Sequence, residues 1–213
     1  MRVKLSGYRS IPNKLKIVLE LMDKNTHPMV VLRTACSFLG ALEPETEENG
    51  QLNCALRMLG LWGPALMYWY HHAHSDEKID TNPCPEDSLA ANFLRLLHKK
   101  GKDDDLDPLH VETMEISLIL YAEHDFNAST FACKVTTATR SDIHSAICTG
   151  IGTLKGPLHG GANEWAMNFL EKLKSVEHAT EVLDKMISNK DVIYGFGHRV
   201  YKDGDPRNPI IRD

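Results

Sequence analysis

The sequence predicts an all-α fold, and two patterns carry this prediction. Apolar residues recur every three to four positions along most of the chain, as they do on the buried face of a helix. No segment shows a sustained alternation of apolar and polar residues, and the Thr and Val cluster at Val135–Thr139 is too short to build a sheet. Short polar connections separate the apolar segments, and no internal repeat or low-complexity tract interrupts them.

The first half of the chain predicts helices that are punctuated by prolines and charged loops. Pro28 and Pro108 each stand where the first turn of a helix tolerates a missing N–H. Gly63-Pro64 is expected to kink or split the longest apolar stretch, Met58–Tyr70, which is too short to span a bilayer. The predicted helices begin after Ile11-Pro12, cover Met29–Leu42 and Gln51–His74, follow Pro85-Glu86-Asp87 as far as Lys99-Lys100-Gly101, and run from Pro108 to about Glu123.

The second half predicts shorter helices joined by polar or glycine-rich turns. Asn127 and Ser129 supply the cap chemistry for one of these helices. The helices are predicted over Ala128–Thr139, Asp142–Leu154, Asn163–Leu173 and Ala179–Asn189.

Composition excludes several classes of protein. The chain has 213 residues with 42% hydrophobic and 25% charged residues, the balance of a folded domain. Its net charge of −5 argues against a general nucleic-acid binder, which needs excess Lys and Arg. Five cysteines without CxxC spacing indicate reduced thiols, and the N-terminus shows no apolar signal segment. We therefore expect a cytoplasmic protein that binds neither nucleic acid nor membranes.

Three segments concentrate polar groups around a histidine. In YAEHDFNAST, His124 stands at a helix–helix corner, where it either faces a cleft or satisfies the last carbonyls of a helix. In GPLHGGANE, glycines around His159 allow close backbone approach and unusual dihedrals before a helix N-terminus, which keeps an imidazole neutral. In YGFGHRVYKDGDPR, His198 stands with Arg199, Lys202 and Arg207, a composition suited to anions. An incidental histidine in a turn and a charged surface loop are the respective alternatives for the last two segments.

A fourth cluster, His71, His72 and His74, is a weaker candidate for a metal site. Two of these histidines are three residues apart and share a helix face, but no carboxylate or thiol partner is evident. We interpret the cluster as polar residues at a helix end.

Together, the three histidine segments resemble the citrate synthase family. GPLHGGANE looks like the family's first catalytic-histidine loop, YGFGHRVYKDGDPR like its signature, and YAEHDFNAST like its oxaloacetate-binding segment. The resemblance runs from about Arg9 to Arg207. MYWYHHAH and EDSLAANFLRLLH are closer to the 2-methylcitrate synthase branch, whereas HRVYKD is also similar to bacterial citrate synthases.

The resemblance implies a condensation of propionyl-CoA or acetyl-CoA with oxaloacetate and water, giving 2-methylcitrate or citrate plus CoA. His159 would donate to the thioester oxygen as the enol forms, and His198 would polarise the oxaloacetate carbonyl. No metal or permanently bound cofactor is implied, and acyl-CoA is a co-substrate. The implied contacts to oxaloacetate come from His124, Arg207 and Arg9, and those to coenzyme A come from Asp191, Val192, Ile193, Tyr194 and Gly195.

The resemblance also implies a two-domain helical fold and a homodimer. It further implies that the Asp that removes the acyl α-proton in this family is absent from this sequence. Residues 1–159 would form part of a large domain, and residues 160–213 would begin a small one. The family's Asp base belongs to a segment beyond Asp213, so we expect an internal portion of a synthase that is inactive alone and exposes apolar surface. The alternatives are citrate synthase itself and a non-catalytic helical binding module.

Overall fold

The computed structural model describes residues 5–81, 84, 86–198 and 201–212. These residues contain no strand, which confirms the all-α prediction. The helices are α1 (Asn13–Glu20), α2 (Pro28–Leu42), α3 (Gln51–Ser75), α4 (Leu89–Leu97), α5 (Pro108–Leu120), α6 (Ala128–Ala138), α7 (Ile143–Leu154), α8 (Ala162–Leu170), α9 (Val176–Asn189) and α10 (Arg207–Arg212).

Side-chain caps explain where several helices begin. The Asp107 carboxylate accepts from the Leu109 N–H at 2.9 Å, and Asn127 accepts from the Thr130 N–H at 2.9 Å. These caps satisfy backbone donors that a first helical turn leaves without partners. The Ser175 hydroxyl caps α9 in the same way, so this helix begins at Val176, three residues before the predicted Ala179.

Two compact units divide the chain, Met1–Gly152 and Thr153–Asp213. In the first unit, α1 and α2 pack against each other and against α3, α3 also packs against α4, and α4 packs against α5. The buried apolar residues of this unit form one main core around α3, and they include Leu15, Leu19, Val31, Leu39, Leu61 and Ala65. The division into domains at residues 159 and 160 stays a prediction.

The long helix α3 is not split at Gly63-Pro64, which was one of the two expectations for this point, and a kink there stays a prediction. The helix is 25 residues long and runs through Pro64 without interruption, although proline supplies no N–H to the helix ladder. Leu61 and Ala65, on either side of Pro64, are fully buried. Core packing on both sides of the proline therefore keeps the two halves in one helix, as tertiary contacts often override local propensity.

The second unit contains α8, α9 and α10, and none of these helices has a buried residue. α8 covers Ala162–Leu170, close to the predicted Asn163–Leu173. The six-residue helix α10 was not predicted, because it is too short for a helical period to show. Within the described residues, no helix combines the length and the apolar character that crossing a membrane requires.

Candidate active site

His124 lies in the turn between α5 and α6, as the sequence predicts. The turn is built locally, because Asp125 adopts a left-handed conformation with φ of 52° and the Asn127 N–H donates to the Asp125 carbonyl at 2.9 Å. Ser129 donates to the Asn127 carboxamide at 2.7 Å while that group caps α6. His124 is half-buried beside this cap. The predicted cap chemistry is confirmed, and the role of His124 toward oxaloacetate stays a prediction.

His159 lies in a tight double turn before α8. Its N–H donates to the Gly156 carbonyl at 2.9 Å, and its own carbonyl accepts from the Ala162 N–H at 3.0 Å. The backbone on both sides of the histidine is therefore fixed by hydrogen bonds, which limits the directions its half-buried imidazole can take.

Glycines in this turn have a packing reason that the sequence did not reveal. A Cβ on Gly160 would come within 2.7 Å of the Leu154 carbonyl oxygen, and a Cβ on Gly161 would clash with the carbonyl oxygens of Lys155 and Gly156. The expected close approach is therefore correct. The expected unusual dihedrals are not found here, because Gly161 is right-handed with φ of −63° and the glycines with positive φ lie elsewhere.

Helix α8 follows the His159 turn and contacts the segment predicted to bind coenzyme A. The Trp165 ring stacks on the Tyr194 ring, with centroids 5.4 Å apart and planes at 28°. A Cβ on Gly195, where φ is 93°, would lie 3.6 Å from the Ala166 Cβ. Tyr194, one of the five residues assigned to coenzyme A, thus contacts the helix that follows His159, and the Gly195 backbone passes beside that helix. Sequence reasoning missed Trp165, an aromatic residue for which helical periodicity alone suggests no partner.

The rest of that segment is an exposed, irregular chain. α9 ends at Lys190, which is left-handed with φ of 58°, and the Asp191 N–H donates back to the Met186 carbonyl at 2.9 Å. Asp191 and Val192 are exposed, and Ile193 and Tyr194 are half-buried. The segment offers backbone groups and apolar surface, which a nucleotide-bearing thioester can use.

His198 lies on an exposed arm that follows two left-handed glycines. Gly195 and Gly197 have φ of 93° and 78°, conformations that side chains disfavour. The His198 ring lies 4.7 Å from the Tyr201 ring with planes at 34°. Arg199, which the sequence assigned to the same anion-binding composition, lies outside the described residues. The aromatic neighbour limits the orientation of the imidazole.

Arg207 forms a bidentate ion pair with Asp205. Its Nε donates to Asp205 Oδ1 at 3.0 Å, and its Nη2 donates to Oδ2 at 2.5 Å. The same carboxylate accepts the Arg207 N–H at 2.9 Å and so caps α10. Sequence reasoning missed this function of Asp205, although the spacing of two residues was a usable signal. The pair fixes the guanidinium plane, while its positive charge is already partly neutralised.

Arg9 is almost completely buried, and its guanidinium binds backbone oxygens. It donates to the carbonyls of Asp87 at 2.8 Å, Cys84 at 3.2 Å and Ser88 at 3.2 Å. Desolvation lowers the pKa of Arg9, while Asp87 and Cys84 oppose this shift. The contacts anchor the N-terminal segment to the start of α4. The assignment of Arg9 to the substrate stays a prediction.

The histidines of the fourth cluster lie in the last turns of α3. His71 is buried with its Nε2 3.0 Å from the Leu96 carbonyl oxygen, and the His74 ring contacts the Tyr70 ring at 4.7 Å. Across the described part of the chain, no three His, Cys, Asp or Glu side chains come together as a metal site would require.

The structure thus brings three predicted segments together in one unit, namely the His159 turn, α8 and the 191–195 segment. The arm with His198 and Arg207 follows directly in the same unit, whereas His124 belongs to the first unit. Within the second unit, the candidate residues offer the imidazoles of His159 and His198, the guanidinium of Arg207 and an exposed backbone segment. Together these groups suit a carboxylate substrate and a nucleotide thioester.

A helical fold with these histidine segments is that of the citrate synthases, and the chain belongs to the citrate synthase family. The family described as the citrate synthase C-terminal domain matches residues 1–213. The resemblance inferred from the three histidine segments is therefore confirmed.

Individual relatives agree with this assignment. The chain is 46% identical to the 2-methylcitrate synthase of Shewanella oneidensis over 212 residues, 100% of this chain and 55% of the relative. It is 40% identical to the citrate synthase of Mycolicibacterium smegmatis, covering 96% of this chain and 54% of that protein. The chain thus spans about half the length of the curated relatives it matches.

A solved structure gives the same answer for the fold. The citrate synthase of the archaeon Thermoplasma acidophilum, in ternary complex with carboxymethyl coenzyme A and oxaloacetate, has a TM-score of 0.85 to this chain at 28% identity. The match covers 98% of this chain and 54% of that one.

Proposed function

We propose that this chain provides part of the active site of an acyl-CoA:oxaloacetate C-acyltransferase of the 2-methylcitrate synthase type. The observation that carries the proposal is the 46% identity to a 2-methylcitrate synthase along the whole chain. The histidine segments that the reaction needs are present in family order. The substrates proposed are oxaloacetate and propionyl-CoA, with acetyl-CoA as a competing acyl donor.

Each predicted residue has a role that its chemistry can perform. His159, held in its double turn, donates a hydrogen bond to the thioester oxygen as that oxygen gains enolate character. His198 polarises the oxaloacetate carbonyl and protonates the oxygen after carbon–carbon bond formation. Arg207 and His124 bind oxaloacetate carboxylates. We assign the removal of the acyl α-proton to none of these residues.

Asp205 supports this assignment by limiting how Arg207 can bind. Two guanidinium nitrogens already donate to Asp205, so an oxaloacetate carboxylate would meet a guanidinium of fixed orientation. The stacked pair of Trp165 and Tyr194 supports the coenzyme A assignment, because it holds one end of the 191–195 segment on α8.

Substitutions in the intact enzyme that contains this chain test the proposal. We expect His159→Ala and His198→Ala each to lower kcat/KM about 10²–10³-fold, because each removes a group that acts in the transition state. His110→Ala is the matched control, since His110 is exposed on α5. The assay is thiol release from acyl-CoA in the presence of oxaloacetate. Unchanged rates in both histidine variants would refute the proposal.

Citrate synthase is the second candidate, favoured by the 40% identity to the Mycolicibacterium smegmatis enzyme. The ratio of kcat/KM for propionyl-CoA and acetyl-CoA separates the two. One methylene contributes about 1–3 kcal/mol in an apolar pocket, so a ratio above about tenfold in favour of propionyl-CoA identifies the first candidate. Oxaloacetate binding by the intact protein without turnover of either thioester would identify a binding module instead.

We extend the proposal to a homodimeric, cytoplasmic protein, as the resemblance implies. Size-exclusion chromatography with light scattering on the intact protein tests the dimer.

A further inference from the structure

Helices α2 and α7 of the first unit cross in close antiparallel contact. A Cβ on Gly40 of α2 would lie 2.9 Å from the Cβ of His144 on α7. About two turns away, a Cβ on Gly152 of α7 would lie 3.6 Å from Nη1 of Arg33 on α2. Residue numbers therefore increase along α2 in the direction in which they decrease along α7. The level between these two contacts is occupied by Cys36 on α2 and Cys148 on α7.

The two thiols reach across this crossing in opposite directions. The Cys36 Sγ lies 3.5 Å from the His144 carbonyl oxygen of α7, and the Cys148 Sγ lies 3.5 Å from the Arg33 carbonyl oxygen of α2. Each sulfur thus lies against the backbone of the other helix at the same level of the crossing, and each thiol shifts the pKa of the other. All five cysteines, including these two, are free thiols. A disulfide needs Cβ atoms about 3.5–4.5 Å apart, and the close backbones at Gly40 and His144 show that these helices approach to such distances.

The environments of the two sulfurs differ in a way that suits oxidation. Cys36 is completely buried, and the neighbouring Cys148 thiol, together with burial, raises the pKa of Cys36. The Cys36 thiol and the nearby Arg33 lower the pKa of Cys148, against the opposing effects of burial and Asp142. Cys148 also lines an open cleft of about 490 Å³ that Ser37 and Glu45 border. One thiol is therefore reached from solvent, and its neighbour is protected.

We propose that Cys36 and Cys148 form a reversible intramolecular disulfide when hydrogen peroxide enters this cleft. The Cys148 thiolate attacks one peroxide oxygen, the O–O bond breaks, and Cys148 sulfenic acid forms. The hydroxide released takes up the proton that the Cys148 thiol lost and leaves as water. The Cys36 sulfur then attacks the Cys148 sulfur and displaces hydroxide, which leaves as water with the Cys36 proton. Two thiols are oxidised by two electrons, and one peroxide is reduced to two waters.

The bond would have a structural consequence, because Cys36 belongs to the main core and Cys148 packs against it. A disulfide would tie α7 covalently to α2. It removes conformations from the unfolded chain, so the oxidised form should unfold at higher temperature than the reduced one.

Peptide mapping of the intact, folded protein tests the site directly. The reduced protein is treated with one equivalent of hydrogen peroxide, blocked with N-ethylmaleimide and digested without reductant. Cys36 and Cys54 share one tryptic fragment, so a second cut after Glu45, Glu47 or Glu48 is needed to separate them. We expect a linked peptide joining Cys36 to Cys148 that dithiothreitol releases, and a loss of two blockable thiols.

Variants and an unfolded sample keep the test decisive. Cys148→Ser should abolish the linked peptide, whereas Cys133→Ser should retain it. Cys133 is the matched control because its Sγ contacts the Ala146 carbonyl of α7 at 3.2 Å, much as Cys36 contacts that of His144. In urea the linkage should become mixed among cysteines. Over-oxidation of Cys148 without a link, a link to another cysteine, or equal linkage in urea and in buffer would each overturn the proposal.

Discussion

The chain has two parts, the N-terminal helices α1–α4 and the C-terminal helices α5–α10. The first part holds most of the buried core, and the second holds most of the candidate site residues. Nearly all the buried apolar residues of the described chain lie between Ile11 and Leu96, and Ala146 is the exception. Helices α5, α6, α8, α9 and α10 have no buried residue at all. His124, His159, His198 and Arg207 nevertheless all belong to this second part of the chain.

The difference teaches that the candidate site lies where the chain has least packing of its own. Large apolar side chains there face solvent, and Leu158, directly before His159, is 88% exposed. Such exposure agrees with the expectation that this chain alone presents apolar surface. Local hydrogen bonds, as in the His159 turn, then have to hold positions that a core would otherwise fix.

Truncating one leucine in each part tests this contrast with the largest expected effect. Leu61→Ala removes a fully buried side chain of α3 and should lower the free energy of unfolding by about 2–5 kcal/mol, because it leaves a cavity. Leu158→Ala should change it by less than about 0.5 kcal/mol. Urea unfolding followed by circular dichroism measures both. Equal losses would contradict the contrast.

Adding a methyl group to one glycine in each part should give the next largest change in the free energy of unfolding. Gly161→Ala places a Cβ against the carbonyls of Lys155 and Gly156, and we expect a cost of about 1–3 kcal/mol from overpacking. Gly63→Ala in α3 is the matched control, since its nearest neighbour would be a Phe93 ring atom at 3.8 Å. It should be neutral or stabilise by up to about 1 kcal/mol. Similar unfolding midpoints for the two variants would argue against a tightly built His159 turn.

Alkaline pH should act on the N-terminal helices through Tyr68. Burial and its 2.6 Å hydrogen bond to Glu20 raise the pKa of Tyr68 to about 12 from the ordinary tyrosine value of 10.0. The folded state thus keeps this proton longer than the unfolded chain does. Its stabilising contribution is complete below pH 10 and is lost as pH rises through about 12. Unfolding free energies measured between pH 9 and about 12 should fall less steeply for Tyr68→Phe than for the parent. Parallel curves would contradict this assignment.

Removing the aromatic stack on α8 should give the smallest change in the free energy of unfolding. Trp165→Ala removes the contact with Tyr194 and should cost about 0.5–1.5 kcal/mol. Deuterium uptake should rise in residues 191–195 and stay unchanged in α3. Met167→Ala, similarly exposed on the same helix, serves as control. No change in uptake at 191–195 would mean that the stack does not hold this segment.

Much of the fold was predictable because helix starts have local chemistry. Proline at the first turn of α2 and α5 and the cap of α6 by Asn127 are visible in the sequence. Of the kink or split expected at Pro64, the split was wrong, because packing around Leu61 and Ala65 is a tertiary effect that local propensity does not contain.

The candidate site was predictable to a different extent. Its histidines could be found from the glycines and cations around them, together with the family resemblance. The stacking of Trp165 on Tyr194 and the pairing of Cys36 with Cys148 join residues 29 and 112 positions apart. Such distant contacts follow from the fold and from no local pattern, so the sequence could not reveal them.

Hydrogen–deuterium exchange along the whole chain tests the central claim most directly, namely that packing and chemistry reside in different parts. We predict slow exchange of the backbone amides in α3, where the core lies, and faster exchange by at least about tenfold in α8 and α9. Equal protection of α3, α8 and α9 would contradict the account, because it would mean that the helices around His159 are as firmly held as the core.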